Sequence, residues 1–424
     1  MGKTVVLIGT LDTKGIEFAY VRDRLRALGL STTVVDAGIL GEPLGIEPDI
    51  DHATVAAYGG TTLEALRNAG SRGRAVEGMR EAVKALSRSL YREGRLDAIF
   101  SMGGAEGAVM GAAAMMQLPV GVPKLLLSPI ASGKHYFHPL IGTSDIMVVH
   151  SVVDILGLNP IACTVFDNVA AALKGLVDHG HRGLPEPAAN AKYVAVTMLG
   201  NTTKAVMRVK ERLAEHGYEA VIFHSNGVGG PAMEELAETG QFIGIIDYTT
   251  NEVNDPLVGG IHDGGPHRLR RAGALGLPQV VVPGCVDFSV FHTGAVPASL
   301  AGRPVYDHNP EYTLVRTSPD EMLEIARIFG ERLGAARGPI AIAVPTRGLS
   351  IPNAPGGPFW DPDTDAAFLD ALHAELGSRF PIHTLELHVN DPRCGEQVAD
   401  LFIQLASRES RVASLDAGLV TRDS

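Results

Sequence analysis

A chain of 424 residues is too long for one ordinary hydrophobic core, so its length predicts two domains. Hydrophobic residues make up 45% of it, as in globular proteins, and its formal net charge of −12 argues against a nucleic-acid binder. Its three cysteines form no CxxC pair, and no apolar stretch runs uninterrupted for the ~20 residues of a membrane span. We therefore expect a cytoplasmic protein that has neither a disulfide framework nor a membrane partner.

The chain begins with a predicted βαβ unit. Residues 5–8 form an apolar strand, residues 9–14 a Gly/Thr/Lys turn, and a helical run leads to a second strand that ends at Asp36. This order is typical of a doubly wound parallel sheet, in which the turn after the first strand often binds anionic ligands. The following residues, 37–62, are rich in Gly, Pro and Asp and lack any period, which predicts a long functional or interfacial loop.

Three further turns follow in the first half. Apolar residues at steps of three and four between Val76 and Leu90 predict a helix, and strand 98–100 then leads into the turn of residues 102–107. Strand 125–127 opens onto a turn that contains Ser132 and Gly133, and residues 141–145 form the last turn. Because turns after parallel strands meet at the carboxyl edge of the sheet, we expect all four to line one anion site.

Backbone N–H groups at glycines and at helix starts suit a phosphate. The side chain of Lys14 could reach a phosphate, and Thr10, Thr13 or Asp12 could hold the phosphate or a Mg²⁺ ion through water. The predicted binding residues are Gly9, Thr10, Asp12, Thr13, Lys14, Gly103, Gly104, Gly107, Ser132, Gly133, Gly142, Thr143, Ser144 and Asp145. The alternative is that the polar residues only cap helices and the glycines only permit tight turns, since neither GxxxxGK[ST] nor GxGxxG is present.

The second half repeats the opening pattern. Residues 180–191 are rich in Gly, Pro and Ala and predict a linker, after which residues 194–204 repeat the strand and the Gly/Thr/Lys turn. We therefore predict two Rossmann-like, doubly wound α/β domains with mostly parallel sheets, at residues 1–180 and 192–406, and a frayed tail at residues 407–424.

A second hypothesis concerns the polar residues of the second half. His224, Glu252, His308 and Arg316 could supply acid, base and carboxylate-binding groups to a hydrolase or lyase that acts on a small anionic metabolite. That site would lie in the second domain or between the domains. No HExxH spacing occurs, and we predict no metal site formed by protein ligands alone.

Several segments together resemble the Tm-1-like ATP-binding family, uncharacterised protein family 0261. They are residues 9–15, 141–146, 151–159, 223–230, 247–252, 306–310, 356–361 and 388–392. The resemblance implies two Rossmann-like domains, a homodimer, and ATP bound through the N-terminal domain, with Mg²⁺-dependent hydrolysis or ATP-linked metabolism as candidate activities. Glu106 departs from the family's glycine-rich loop, and its carboxylate would repel a phosphate unless it points away or binds Mg²⁺.

Overall fold

The computed structural model describes residues 2–131, 138–180, 183–188 and 190–420, but not the side chains of residues 138, 139 and 409–420. The chain divides into two compact units, Met1–Pro185 and Glu186–Ser424, which we call the N-terminal and C-terminal units. Each unit contains a parallel sheet with helices packed on both faces. The predicted α/β fold class with mostly parallel sheets is confirmed.

The N-terminal sheet has five parallel strands in the order β2-β1-β3-β4-β5. They are β1 (Thr4–Gly9), β2 (Ser31–Asp36), β3 (Ala98–Met102), β4 (Lys124–Ser128) and β5 (Met147–His150). β3 and β4 are buried along their whole length because helices cover both faces, which explains their continuous apolar sequences. The strand order reverses between β1 and β3, where sheets of this kind leave a crevice at their carboxyl edge.

The helices of this unit form two layers. They are α1 (Leu11–Ala27), α2 (His52–Tyr58), α3 (Leu63–Arg67), α4 (Arg72–Arg92), α5 (Ala105–Met115), α6 (His138–Ile141) and α7 (Pro160–His179). Alternate sheet residues face opposite layers: Val6 and Ile99 pack in the cluster that contains α4 and α5, and Phe100 packs in the cluster that contains α1 and α7. Ser71 caps α4 by accepting a hydrogen bond from the backbone of Arg74, so α4 begins four residues before Val76.

The C-terminal unit has a six-stranded parallel sheet in the order β14-β13-β9-β8-β6-β7 and an antiparallel sheet in the order β10-β12-β11. The strands are β6 (Tyr193–Met198), β7 (Glu219–His224), β8 (Phe242–Thr249), β9 (Gln279–Gly284), β10 (Phe288–His292), β11 (Val305–Asp307), β12 (Tyr312–Arg316), β13 (Ile340–Pro345) and β14 (Ile382–Leu385). The helices are α8 (Thr203–Glu215), α9 (Gly229–Ala237), α10 (Asp255–Val258), α11 (Arg271–Ala274), α12 (Pro319–Leu333), α13 (Pro362–Leu376) and α14 (Pro392–Val420).

The small antiparallel sheet covers part of the carboxyl edge of the large one. Leu199 follows β6 and Cys285 follows β9, and both pack with Phe288, Val290 and Leu314 of the small sheet. The same residues bury Cys285, and burial raises the pKa of its thiol well above the usual value. Cys285 is therefore a packed apolar residue, and the carboxyl edge of the C-terminal unit is closed around it.

Two local expectations were wrong. The segment 37–62 is not entirely irregular, because Asp51 caps a short helix, α2, by accepting a hydrogen bond from the backbone of Thr54. Residues 407–420 of the predicted frayed tail are helical, since α14 continues to Val420, and residues 421–424 lie outside the described residues. Helical backbone propagates at little cost once a helix has begun.

One described helix, α7, is long and apolar enough to cross a membrane by length and composition alone. Its residues Phe166, Val169 and Leu173 are buried against the N-terminal sheet. A core helix of a globular domain meets the same criterion, so this finding is weak evidence for a membrane span.

Candidate functional site in the N-terminal unit

A cavity of about 650 Å³ lies at the carboxyl edge of the N-terminal sheet. Its lining comes from the turns after β1, β2 and β3 and from the starts of α4 and α5. Two of the four predicted turns, those after β1 and β3, therefore line one cavity, at the crevice where the strand order reverses. A volume of this size is typical of small-molecule sites.

The start of α5 presents backbone N–H groups to this cavity. Gly104 is its N-cap residue, and no side chain caps the helix. N–H groups in the first turn of a helix lack intrahelical partners and carry a partial positive charge. Gly107 lies in this first turn, and a Cβ atom added to it would lie 3.9 Å from Thr10 Oγ1. The turns after β1 and β3 thus approach each other across the crevice.

Asp36, the last residue of β2, serves the fold rather than the cavity. Its fully buried carboxylate accepts hydrogen bonds from the backbone of Leu11 at 3.2 Å and of Gly38 at 2.9 Å. Its Oδ2 lies 3.3 Å from His52 Nδ1. Burial raises the pKa of Asp36, and the two N–H donors oppose that rise. The carboxylate therefore fixes the start of α1 and the entry to the loop after β2.

Five charged side chains line the cavity. The cations are Lys14, Arg67 and Arg72, and the anions are Asp12 and Glu106. The described lining therefore carries one net positive charge, in a chain whose formal net charge is −12. A concave surface with locally positive charge attracts anions even when the whole protein is acidic.

Three of these side chains hold neighbouring loops. The ammonium of Lys14 donates a hydrogen bond to the carbonyl oxygen of Ile155. Arg67 Nε donates to the carbonyl oxygen of Ile39 at 2.6 Å, and Asp12 Oδ2 accepts from the backbone of Gly41 at 3.3 Å. Arg67 and Asp12 thus fix the loop after β2 over the cavity.

The other two side chains pair with each other. Arg72 is the first residue of α4, and its Nη2 lies 2.6 Å from Glu106 Oε2 in the first turn of α5. Their side chains are 76% and 51% exposed. The carboxylate of Glu106 therefore points towards α4 and pairs with Arg72, a cation that also lines the cavity.

One wall of the cavity is apolar. It is built from the loop after β2, the first turns of α4 and the inner face of α5; the residues are Ala37, Ile39, Leu40, Ala75, Val76 and Met110. Apolar walls beside a few charged groups are common in sites that bind a flat ring linked to a polar group. The cavity thus combines a surface suited to a base with groups suited to a phosphate.

The predicted binding residues fall into four groups. Those that line the cavity are Thr10, Asp12, Thr13, Lys14, Gly103, Gly104 and Gly107. Gly9 ends β1 outside the lining, and a Cβ atom there would lie 2.1 Å from the ring of Phe18, so glycine is needed for packing. Ser132 and Gly133 lie outside the described residues.

The turn formed by Gly142, Thr143, Ser144 and Asp145 lies elsewhere, and its predicted position was wrong. It precedes β5 instead of following a strand, so it lies at the amino edge of the sheet. There Asp145 accepts hydrogen bonds from Gly121 N at 2.8 Å and from Lys124 Nζ at 2.5 Å. Lys124 is buried, which lowers its pKa, while Asp145 opposes that change. Asp145 therefore compensates a buried cation.

In the C-terminal unit, Glu252 belongs to a buried charge cluster. Its Oε1 accepts from the backbone of Gly227 at 2.8 Å and of Gly230 at 3.1 Å, at the start of α9. Its Oε2 accepts from Arg268 Nε at 2.7 Å, and Arg268 also pairs with Asp247. All these partners belong to the protein, so Glu252 caps a helix and balances the charge of a buried arginine. An acid or base that acts on substrate would instead need a carboxylate that faces the solvent or a cavity.

Arg316 belongs to a different cluster. It donates to the backbone carbonyl of Asp287 at 3.0 Å and to Asp365 Oδ1 at 2.8 Å. Burial raises the pKa of Asp287 to about 6 and also raises that of Asp365, in both cases against the charge of Arg316. Glu252 and Arg316 share no hydrogen-bond partner among the described residues, so the structure does not join them in one site.

The two predicted histidines lie at the surface of the C-terminal unit. His224 ends β7, and the Nε2 atom of His308 would lie 3.8 Å from a Cβ atom added to Gly200, after β6. The start of α8 beside Gly200 is already capped, because Asn390 Oδ1 accepts from the backbone of Lys204 at 2.9 Å. In the C-terminal unit, side chains of Asn390 and Glu252 thus accept hydrogen bonds at the starts of α8 and α9. In the N-terminal unit, by contrast, no side chain caps the start of α5. Among the described residues, no group of three or more His, Cys, Asp or Glu side chains could hold a metal ion.

Sequence reasoning missed Arg67, Arg72 and the apolar wall. Apart from Met110 on α5, these residues belong to α3, α4 and the loop after β2, far in sequence from the turns that they face. Ser71 followed by a helical period marks the start of α4 and was a usable signal for Arg72. Nothing in the sequence indicated that this helix start would pack beside the turn after β3.

Comparisons with known proteins cover most of the chain. The model of the "Uncharacterised protein family (UPF0261) N-terminal domain" matches residues 3–182, and its C-terminal counterpart matches residues 191–406. A UPF0261 protein of Clostridium tetani is 37% identical over 410 residues, which are 96% of this chain and 100% of that protein. The ToMV resistance protein Tm-1(GCR237) of Solanum lycopersicum is 31% identical over 429 residues, which are 96% of this chain and 56% of that protein.

Among solved structures, a UDP-N-acetylglucosamine 2-epimerase aligns with 66% of this chain and 79% of its own, at 12% identity and a TM-score of 0.23. Acinetobacter baumannii MurG aligns with 95% of this chain and 99% of its own, at 11% identity and a TM-score of 0.19. Scores this low carry no argument about ligands.

Proposed function

The chain belongs to the uncharacterised protein family UPF0261, and we propose that its N-terminal unit binds ATP in the cavity at the carboxyl edge of the sheet. The observation that carries the proposal is the uncapped start of α5, which opens onto a cavity of about 650 Å³ lined by three cationic side chains. Backbone N–H groups at a helix start together with basic side chains form a phosphate site.

Each part of ATP has a matching surface. The phosphates suit the first turn of α5 with Lys14 and Arg72, and the adenine suits the wall that contains Ile39, Val76 and Met110. A Mg²⁺ ion bound with the phosphates prefers oxygen ligands, and Asp12 and Thr13, both in the first turn of α1, supply a carboxylate and a hydroxyl to the cavity lining. Bound Mg²⁺ would offset phosphate charge, while the backbone and the basic side chains orient the nucleotide.

The direct test is ligand binding by the full chain. We expect ATP with Mg²⁺ at millimolar concentration to raise the melting temperature, and sugar acids and keto acids to have no such effect. A ligand at 100 times its dissociation constant stabilises the folded state by about 2.7 kcal/mol, which melting curves resolve. Release of inorganic phosphate in the same samples measures hydrolysis.

A variant that fills the cavity makes the test specific. In Gly107→Leu the new Cβ would make only ordinary contacts, at 3.7 Å from the Met102 carbonyl oxygen and 3.9 Å from Thr10 Oγ1, while the rest of the side chain enters the crevice. Gly175→Leu on α7 is the matched control, because no atom lies within 4 Å of its new Cβ. ATP should stabilise the control and not Gly107→Leu. Equal stabilisation of both variants would place ATP elsewhere, and no stabilisation of the wild-type chain would refute the proposal.

The homodimer that the family resemblance implies is proposed here on that ground alone. Light scattering coupled to size-exclusion chromatography measures it directly, and a monomer mass at micromolar concentration would refute it.

A further inference from the structure

Glu106 occupies a position where a bound phosphate would also be favourable. It is the second residue of α5, so its carboxylate lies in the first turn of the helix, where negative charge is stabilised. It also accepts a hydrogen bond from Arg72 Nη2 at 2.6 Å. The cavity lining thus already contains an anion, in the first turn of the helix, that pairs with one of the lining cations.

The ion pair between Arg72 and Glu106 can be broken at little cost in stability. The two side chains are 76% and 51% exposed, and ion pairs with that exposure contribute little to stability. Glu106→Gln and Arg72→Ala should therefore fold normally. The guanidinium of Arg72 can turn from Glu106 to another acceptor without breaking a buried contact.

We propose that Glu106 is a built-in competitor that a ligand phosphate displaces from Arg72, so that the cavity prefers ligands whose phosphate groups carry two or more negative charges. This inference rests on the proposed nucleotide site. A singly charged ligand group replaces the Glu106 carboxylate at Arg72 by another single negative charge, so the exchange yields no net interaction energy with Arg72. A doubly charged phosphate or a polyphosphate interacts more strongly with the same cation, because Coulomb energy scales with charge.

The test is a charge series of one nucleoside. Isothermal titration calorimetry at constant ionic strength would measure adenosine, AMP, ADP and ATP against the full chain and Glu106→Gln. Removing the competing carboxylate should tighten ATP binding about fivefold, a change of about 1 kcal/mol, and should leave adenosine unchanged. Glu77→Gln is the matched control, because Glu77 pairs with Arg80 at 2.6 Å on α4 and does not line the cavity.

A double-mutant cycle separates competition from simple repulsion. Arg72→Ala should weaken ATP binding, and Glu106→Gln should recover much less affinity in that background than in the wild-type chain, since there is no cation left to release. Arg80→Ala on the same helix is the control for the loss of an arginine outside the cavity and should not change the affinity.

The possible outcomes are distinct. An equal effect of Glu106→Gln on adenosine and ATP, or no effect on ATP, would overturn the inference and leave nucleotide binding intact. Weaker binding of ATP by Glu106→Gln only when Mg²⁺ is present would make Glu106 a metal ligand and would also overturn it. If neither the wild-type chain nor Glu106→Gln binds any member of the series, the proposed function fails as well.

Discussion

Arg268 donates two hydrogen bonds to the carboxylate of Asp247, at 2.5 and 2.7 Å, in a region of the C-terminal unit where both side chains are buried. The same guanidinium pairs with Glu234 at 3.2 Å and with Glu252 at 2.7 Å. Burial raises the pKa of Glu234, and the charge of Arg268 opposes that rise. One arginine therefore compensates three acidic side chains.

Arg268→Met should destabilise the C-terminal unit by at least about 3–5 kcal/mol, because it leaves buried carboxylates without their cation. Urea unfolding followed by fluorescence measures this unit, since the only tryptophan is Trp360. Arg271→Met is the control: its side chain is 32% exposed and pairs with Glu235 at 3.1 Å, so we expect a loss below about 1 kcal/mol. A similar small loss for Arg268→Met would contradict the assignment.

Asp145→Asn should destabilise the N-terminal unit without affecting the cavity. It leaves the buried ammonium of Lys124 without its carboxylate, which we expect to cost about 3 kcal/mol. Hydrogen exchange of the β4 backbone would report the loss, and the melting shift produced by ATP should stay unchanged. Asp178→Asn, which removes an exposed pair with Lys174, is the control. A selective loss of ATP binding would restore Asp145 as a binding residue.

Lys14→Ala should weaken ATP binding about tenfold, as expected for the loss of one charge-assisted hydrogen bond to phosphate. The same change removes the hydrogen bond to the Ile155 carbonyl, so residues 155–157 should exchange hydrogen faster in the absence of ligand. Lys174→Ala on α7 should change neither quantity. Unaltered ATP affinity in Lys14→Ala would exclude Lys14 from the site.

Asp255→Asn should change how the stability of the C-terminal unit depends on pH. Burial raises the pKa of Asp255 to about 7, against hydrogen bonds from the backbone of His262 and Val290, compared with 3.8 for an exposed aspartate. Between these values the folded state binds more protons than the unfolded state. The stabilising contribution of Asp255 to the free energy of unfolding is therefore fully present below about pH 4. It is lost as pH rises to about 7, and the free energy of unfolding falls by up to about 1.4 kcal/mol per pH unit.

Because Asp255→Asn cannot ionise, its stability relative to the wild-type chain should rise between pH 4.5 and 7. His262 has the opposite effect, since burial lowers its pKa to about 4, and it is present in both proteins. Urea unfolding with Trp360 fluorescence at four pH values gives the difference. A difference that does not change with pH would show that Asp255 is ionised throughout.

The sequence was a good guide to elements whose signal is local. The apolar period between Val76 and Leu90 predicted α4, and the apolar runs of β3 and β4 predicted buried parallel strands. The glycines at 103, 104 and 107 predicted a turn after a strand, and that turn lines the cavity. Periodicity and turn chemistry decide these features within about 20 residues of chain.

Features that depend on distant partners could not be predicted. The turn at Gly142–Asp145 has the composition of a strand-end loop, but composition does not tell whether a turn precedes or follows a strand. The polarity of Glu252 and Arg316 suggested catalysis, whereas their partners Arg268 and Asp365 lie 16 and 49 residues away in sequence. Polar residues near strand ends indicate a binding site only if the fold leaves their polar atoms available.

The cap that Asn390 places on α8 has a consequence for how the chain folds during its synthesis. Lys204, whose backbone donates to Asn390, is made 186 residues before it. At roughly 5–20 residues per second, synthesis of that interval takes about 10–40 s, and during this time the first helix of the C-terminal unit lacks its partner. The N-terminal unit, complete by Pro185, is synthesised before that interval, so we expect it to fold while the C-terminal unit is still incomplete.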